Sequence, residues 1–600
     1  MKMRAYCNRI TGIVLLITMC ITLSGCSLFT DANEDSTTDG NFHSKTITAY
    51  LYDDDKTKVN ALFRDGLNLP YINMEDYFSN IFKGEYSTRK SGRTYIIDGP
   101  KGSAVFDPDN DTVTFERYED FISDELIIID KADTVATEEY VVAGTSEQKP
   151  YTFNFGKYGI DIYSDGRYVY MPVSSANLLT ETTYRGALYR DEDIYFTETY
   201  DPVSWIDMSD LLDNDDIDPA ISDLNYKELC FLMDNLYGHP SKGYLANEIN
   251  ANGFDNTLKN HDDDTRLLKD LLTSDDMLEY YYGLKILGLY TEDGGHSCPS
   301  IGLDTAIMEY DDSFVAMEYK NINKQLKDKK TILPVTLNQG VTLYNTLSQS
   351  YWYRDKTKYK NLGTIIGKAR ESAFSKYNKV RSWNGGDIIL TSSNDTVAFS
   401  FNGFSPNVFE PMMWSLDYAK QNNVKNFVID LTCNGGGQLS TLVWILNILT
   451  DQKTTPAISA LTDNKLSIQA LVDKNLDGEY NDLDNDSYRG NLRLAVLTSS
   501  VSYSCGNILP TLLKDNKIPV IGETSGGGTA DLIFHLGPMG LPIMVSGPNT
   551  FTNNNYESID EGATPDYVLV RENASSIADY LPLYDIDTIR KDMDEYYSRR

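Results

Sequence analysis

Positive charge is scarce in this chain of 600 residues: 53 Lys and Arg stand against 88 Asp and Glu, a formal charge of −35. A surface of that sign is repelled by a phosphate backbone, which excludes a nucleic-acid partner. Cysteine is sparse too, with Cys7, Cys20 and Cys26 near the start and only Cys230, Cys298, Cys433 and Cys505 beyond them. A disulfide scaffold is therefore excluded. No Cys-x-x-Cys pair, Cys/His cluster or His-Glu-x-x-His stretch is present, so no catalytic metal is expected. Past residue 23 no apolar run reaches the roughly 20 residues of a membrane span. What remains, 41% hydrophobic and 24% charged residues, is enough to build real cores. At about 150 residues per domain the length admits three or four domains, of which two or three are expected.

The N-terminus carries an address. Lys2, Arg4 and Arg9 precede a nearly uncharged run from Ile10 to Leu23, the order of a secretory signal. Leu23-Ser24-Gly25-Cys26 resembles a bacterial lipobox. That resemblance implies cleavage before Cys26, lipidation of Cys26, and a chain tethered to the extracytoplasmic face of the cell membrane. Because acidic surfaces are not drawn to anionic headgroups, the lipid would supply the membrane affinity.

Composition divides the rest. Residues 1–25 read as the signal peptide and 26–45 as a polar flexible linker. Residues 46–225 read as a β-rich domain, with period-two strands at Thr94, Gly102 and Thr112. Two alike segments, Leu69–Phe78 and Tyr168–Leu179, suggest a duplication. Residues 226–390 read as a helical cap with a connecting region, and 391–600 as alternating strands and helices, hence an α/β core.

Three segments of that core carry the chemistry. Asp430-Leu-Thr-Cys-Asn-Gly-Gly-Gly puts three glycines between a buried strand and a helix, where amides can approach a bound anion. Ser504 sits at a second strand-to-helix turn, and Gly522-Glu-Thr opens a third. Together with Pro565-Asp566 they resemble the tail-specific, or C-terminal-processing, serine peptidases of family S41. The resemblance implies a crotonase/ClpP-like ββα spiral core with a helical cap, and a peptide or protein substrate. It implies Ser504 as nucleophile, with an oxyanion hole from amides of Gly435 or Gly436 and of Cys505.

One branch of that family uses a lysine within Phe-Gly-Lys-Gly; here Thr524-Ser-Gly-Gly-Gly-Thr leaves Gly528 at its place. Another base is needed, because a hydroxyl is a poor nucleophile until a neighbour takes its proton. His296, in Glu292-Asp-Gly-Gly-His-Ser-Cys, resembles the Asp-Gly-His segment of the tricorn-like branch and suits the role. His239 and His535 are its rivals, read as a helix stop and a strand residue. To orient the imidazole, Asp560 ranks first and Glu557 second, with Glu561 beside them. Cys505 ranks below Ser504 as a nucleophile.

Residues 473–484 form a second candidate site. Asp473, Asn475, Asp477, Glu479, Asn481 and Asp484 place oxygen donors around a glycine at the sixth position, as in EF-hand-like loops, so structural Ca2+ is expected. The expected function is a lipid-anchored extracytoplasmic serine peptidase. Its alternative is an inactive surface lipoprotein that keeps the fold as a peptide-binding cleft.

Overall fold

A computed structural model describes residues 37–38, 41–51, 55–122, 127–128, 135–142, 149–181, 185–198, 217–240, 242–309, 313–328, 333–383, 385–390, 395–485 and 488–600. The expected signal peptide, Cys26 and residues 26–36 and 39–40 of the expected linker lie outside them.

A seven-stranded sheet organises the C-terminal part. Strands Asn378–Trp383, Gly386–Leu390 and Thr396–Phe401 pair antiparallel. Asn426–Asp430, Arg493–Thr498, Val520–Gly522 and Tyr567–Val568 then continue in parallel. Alternate side chains leave opposite faces of a strand, and the core divides accordingly. Val397, Phe399, Phe427, Ile429, Leu494 and Val496 pack against helices Phe409–Gln421, Leu439–Thr450 and Cys505–Asp515. Ala398, Val428, Ala495 and Leu497 face helices Tyr351–Phe374 and Ile586–Ser598. Covered on both sides, the parallel strands read in sequence as continuous apolar runs. The expected core boundary at 391 falls too late, because two strands before it belong to this sheet. The short polar strand 378–383 gives no apolar signal of its own.

The β-rich part holds an eight-stranded and a five-stranded sheet. The expected strands appear at Thr94–Gly99, Gly102–Asp107 and Thr112–Phe115. The two alike segments are adjacent: strand Pro70–Asn73 leads into helix Met74–Phe82, strand Val169–Pro172 into helix Val173–Asn177, and the strands pair antiparallel. This part is not closed on itself. Strand Val135–Val142 pairs with Lys465–Val472, within a six-stranded sheet that also contains hairpin Ala530–Leu536 and Pro542–Phe551.

The cap is helical as its period predicts. Helix Pro219–Phe231 starts on Asp218, whose carboxylate accepts the Ala220 amide at 2.9 Å, with proline at the first helical position. Helix Met277–Thr291 starts on Asp276, which accepts the amides of Leu278 and Glu279. Four further helices, Ile301–Glu309, Phe314–Asp328, Val335–Leu347 and Tyr351–Phe374, fill the stretch that resists sequence reading. No described helix is long and apolar enough to cross a membrane.

Candidate active site

Ser504 ends the loop after strand Arg493–Thr498 and is the N-cap of helix Cys505–Asp515, with φ +56° and ψ −124°. A non-glycine residue in this region is strained, and such strand-to-helix turns lift a side chain out of the backbone's shadow. The turn is held by its neighbours: Ser504 N donates to Gly527 O at 2.9 Å and Tyr503 N to Asn434 O at 3.1 Å. Glu523 accepts the Ser500 amide at 2.9 Å, and Ser502 Oγ donates to Leu431 O at 2.8 Å.

The glycine loop lies against the serine. A Cβ on Gly436, whose φ is +109°, would approach Ser504 Cβ to 2.6 Å and Oγ to 3.0 Å, so only glycine fits. Gly436 is nevertheless a poor oxyanion donor, because its amide donates to Asn434 Oδ1 at 2.9 Å. Gly435 is exposed, with open space at its α-carbon. The Cys505 amide opens a helix, where N–H groups lack an intrahelical partner. The Cys505 thiol is buried, donates to Gly437 O at 3.2 Å, and is pushed up to about 12 by burial, which removes it as a nucleophile.

Beside Tyr503 a pocket is lined by Lys242, Asp293, His296, Tyr503, Thr529 and Asp560, among others. His296 is buried there, its ring edge-on to Tyr503 with centroids 5.0 Å apart. The turn carrying it folds around Asp293, whose Oδ1 accepts the amides of His296 at 3.0 Å and Ser297 at 3.1 Å. The Tyr503 hydroxyl donates to Asp293 O at 2.9 Å. Gly294 at φ +114° must be glycine, since a Cβ would come 2.7 Å from the Tyr503 ring. Burial lowers the His296 pKa from its ordinary value, Asp293 and Asp560 act to raise it, and Lys242 lowers it. Among the described residues no hydrogen bond joins its ring to Ser504 or Asp560; contacts of this kind often tighten only around substrate.

Asp560 reaches the same pocket, its Oδ1 accepting Gly528 N at 3.2 Å, Thr529 N at 3.3 Å and Thr529 Oγ1 at 3.2 Å. Its loop is tied to the serine helix by Asn507, whose Nδ2 donates to Ile559 O at 3.0 Å. Glu557 is elsewhere: it is exposed and accepts from Asn553 Nδ2 at 2.7 Å within its own turn. Glu561 is exposed as well. The expected second choice of acid is thus corrected by the turn that sends Glu557 outward.

The rival histidines have other partners. His535 lies in strand Ala530–Leu536 between two buried carboxylates, Nδ1 being 2.6 Å from Glu181 and Nε2 3.2 Å from Glu228. His239 packs against Tyr237. Sequence reading missed Lys242, Asp293 and Tyr503. Asp293 and Tyr503 stand inside or beside quoted motifs, whereas nothing around Lys242 marks it.

The acidic loop follows its spacing in backbone but not in convergence. Gly478 has φ +85° at the sixth position. Asp473 accepts the amides of Asp477 at 3.2 Å and Gly478 at 2.7 Å, and Asp484 those of Lys474 at 2.7 Å and Asn481 at 2.9 Å. Asn475 accepts from Asp477 N at 3.0 Å, and Asp477 from Glu479 N at 2.9 Å. The loop's oxygens thus serve its own amides, and among the described residues no three His, Cys, Asp or Glu converge as a metal-holding group.

Residues 400–569 match the family model described as Peptidase family S41, leaving residues 1–399 and 570–600 outside the match. Of the expected architecture, the mixed α/β fold with its helical cap and β-rich part is the one found. Solved structures similar to this chain include a photosystem II D1 C-terminal processing protease, at 19% identity and TM-score 0.26, covering 31% of this chain and 45% of that one. Mature CPAF in complex with lactacystin is similar at 13% identity and TM-score 0.28, covering 37% and 58% respectively. A lipoprotein from Streptococcus agalactiae is similar at 14% identity and TM-score 0.25, covering 42% and 86%. The chain thus spans less than two thirds of the first two. No curated protein matches it.

Proposed function

We propose that this chain is a serine peptidase that cleaves peptide bonds through an acyl-enzyme on Ser504. The observation that carries the reading is the strained Ser504 turn, packed on the Gly436 loop, with the His296 and Asp560 pocket beginning at the adjacent Tyr503. Ser504 Oγ attacks the scissile carbonyl carbon as His296 takes its proton, while the amides of Gly435 and Cys505 face the developing oxyanion. Collapse of the tetrahedral intermediate breaks the C–N bond, and His296 returns the proton to the leaving amine. Water, deprotonated by the same imidazole, then releases the acyl group. Asp560 stabilises the imidazolium by charge.

The substrate is a peptide or protein met outside the cytoplasm, the chain being held at the membrane by lipid on Cys26. This part of the reading rests on the motif around Cys26 alone. Calcium in loop 473–484 is proposed on donor spacing and the Gly478 conformation, as a structural ion only.

A serine-directed fluorophosphonate tests the catalytic reading. Labelling lost in Ser504→Ala and weakened in His296→Ala supports it. Folded protein that stays unlabelled supports instead a non-catalytic peptide-binding cleft, the reading favoured by the missing hydrogen bond between His296 and Ser504.

A further inference from the structure

Lys242 enters the pocket from the segment between the cap helices. That segment is fastened to the hairpin by Gly238 N, which donates to Ser546 O at 2.9 Å, and it turns where Gly243 N donates to Pro240 O at 2.9 Å. The ammonium donates to Gly526 O and stands 5.7 Å from the Tyr503 ring centroid, within cation–π range. Both anchors belong to the serine's own framework: Tyr503 precedes Ser504, and Gly526 N donates to Ser502 O at 2.7 Å. Although Asp293 and Asp560 line the same pocket, Lys242 makes no ion pair among the described residues.

We propose that Lys242 is a positioning residue of this site, its ammonium, fixed by Gly526 and Tyr503, adding to burial in keeping the His296 imidazole in its neutral, proton-accepting form. The role assigned to that imidazole rests on the peptidase reading; the electrostatic relationship does not. The charged groups facing the ring are Asp293 from its own turn, Asp560 from the loop before Pro565, and Lys242 from the cap. Glu292 and the Tyr503 and Tyr237 hydroxyls lie around Asp293. Two carboxylates beside an imidazole favour its protonated form, which cannot accept a proton from serine. Burial opposes them first, and the fixed cation adds to it. Once the imidazolium forms during attack, the same cation disfavours its persistence and favours passing the proton to the leaving amine.

The test is an NMR titration of the His296 imidazole in the full chain, assigned by His296→Gln, in a Ser504→Ala background so that no turnover intervenes. Lys242→Met moves the midpoint to higher pH, and Lys242→Arg leaves it in place. A midpoint unchanged in a folded Lys242→Met protein overturns the proposal. Should that variant lose its near-ultraviolet circular dichroism, Lys242→Gln is read in the same way. Peptide hydrolysis by the chain with intact Ser504 separates the two readings. An upward shift without any hydrolysis overturns the peptidase assignment and leaves Lys242 in place; hydrolysis with an unmoved midpoint does the reverse.

Discussion

Tyr503 fills the space that any side chain at Gly528 would need: a Cβ built there falls well inside contact distance of the ring, and the backbone has φ +78°. The position where a lysine base would stand is therefore closed by the residue that precedes Ser504, the proposed nucleophile. Gly528→Ala is expected to cost roughly 2 kcal/mol or more, from overpacking and a left-handed backbone. The denaturation midpoint measures it, and in a Tyr503→Ala background the cost falls.

The strain at Ser504 has a sign that can be measured. Ser504→Gly relieves a conformation unfavourable to any residue with a Cβ, so the variant gains about 1 kcal/mol even after the larger entropy of its unfolded chain. It also loses all fluorophosphonate labelling. A variant that is both inactive and less stable than its parent would contradict this account of the turn.

Burial lowers His296 below its ordinary value, so the base stays neutral into mildly acidic solution and kcat/KM falls only as pH drops through that lowered value. Asp560→Asn removes a group that favours the imidazolium. The acid limb should then move to lower pH, with kcat reduced through loss of charge stabilisation. Glu557→Gln should leave both unchanged. Profiles of kcat/KM between pH 5 and about 8 distinguish these outcomes.

Much of this arrangement is legible in the chain itself. The order of strands and helices from Thr396 to Asp515 follows from apolar runs broken by glycine-rich turns, because those strands are buried on both faces. Ser504 and His296 stand in motifs that resemble a known family, and Asp560 follows from its place before Pro565. Glu557 and Asp560 cannot be separated that way, since a three-residue offset in a turn decides which one faces inward. Lys242 is further from view. Its partner Gly526 is 284 positions away, and no local pattern encodes so distant a contact.

His535 joins three regions of the fold. Glu181 comes from the β-rich part, Glu228 from helix Pro219–Phe231, and Glu228 also accepts from Ser174 Oγ at 2.7 Å and Ser175 Oγ at 2.6 Å. Burial alone would lower the imidazole, but the two carboxylates outweigh it and raise it to about 9. A group raised on folding stabilises fully below its unfolded value of 6.5 and loses that contribution as pH rises through about 9. Urea unfolding is therefore expected to become easier between pH 7 and about 9.5, and His535→Gln should flatten that dependence. His535→Leu, which strands two buried carboxylates, should cost about 3–5 kcal/mol.

For the loop 473–484, added Ca2+ is expected to raise the melting temperature and a chelator to reverse the gain. Asp473→Asn should abolish the difference. A melting curve indifferent to chelation would mean that the carboxylates are occupied only by the amides they already accept.

Strand Val135–Val142 has a consequence for biosynthesis. Its partner Lys465–Val472 emerges from the ribosome more than three hundred residues later, so the strand, paired on one side only with the short Ile127–Ile128, must wait with its other flank unmatched until that partner arrives. Such distant pairings form slowly. Conversely, a recombinant fragment that starts after residue 142 would bare the flank of Lys465–Val472, an open rung on which copies can stack. Soluble production of the C-terminal part alone will therefore need that N-terminal ribbon supplied, either fused or as a separate peptide.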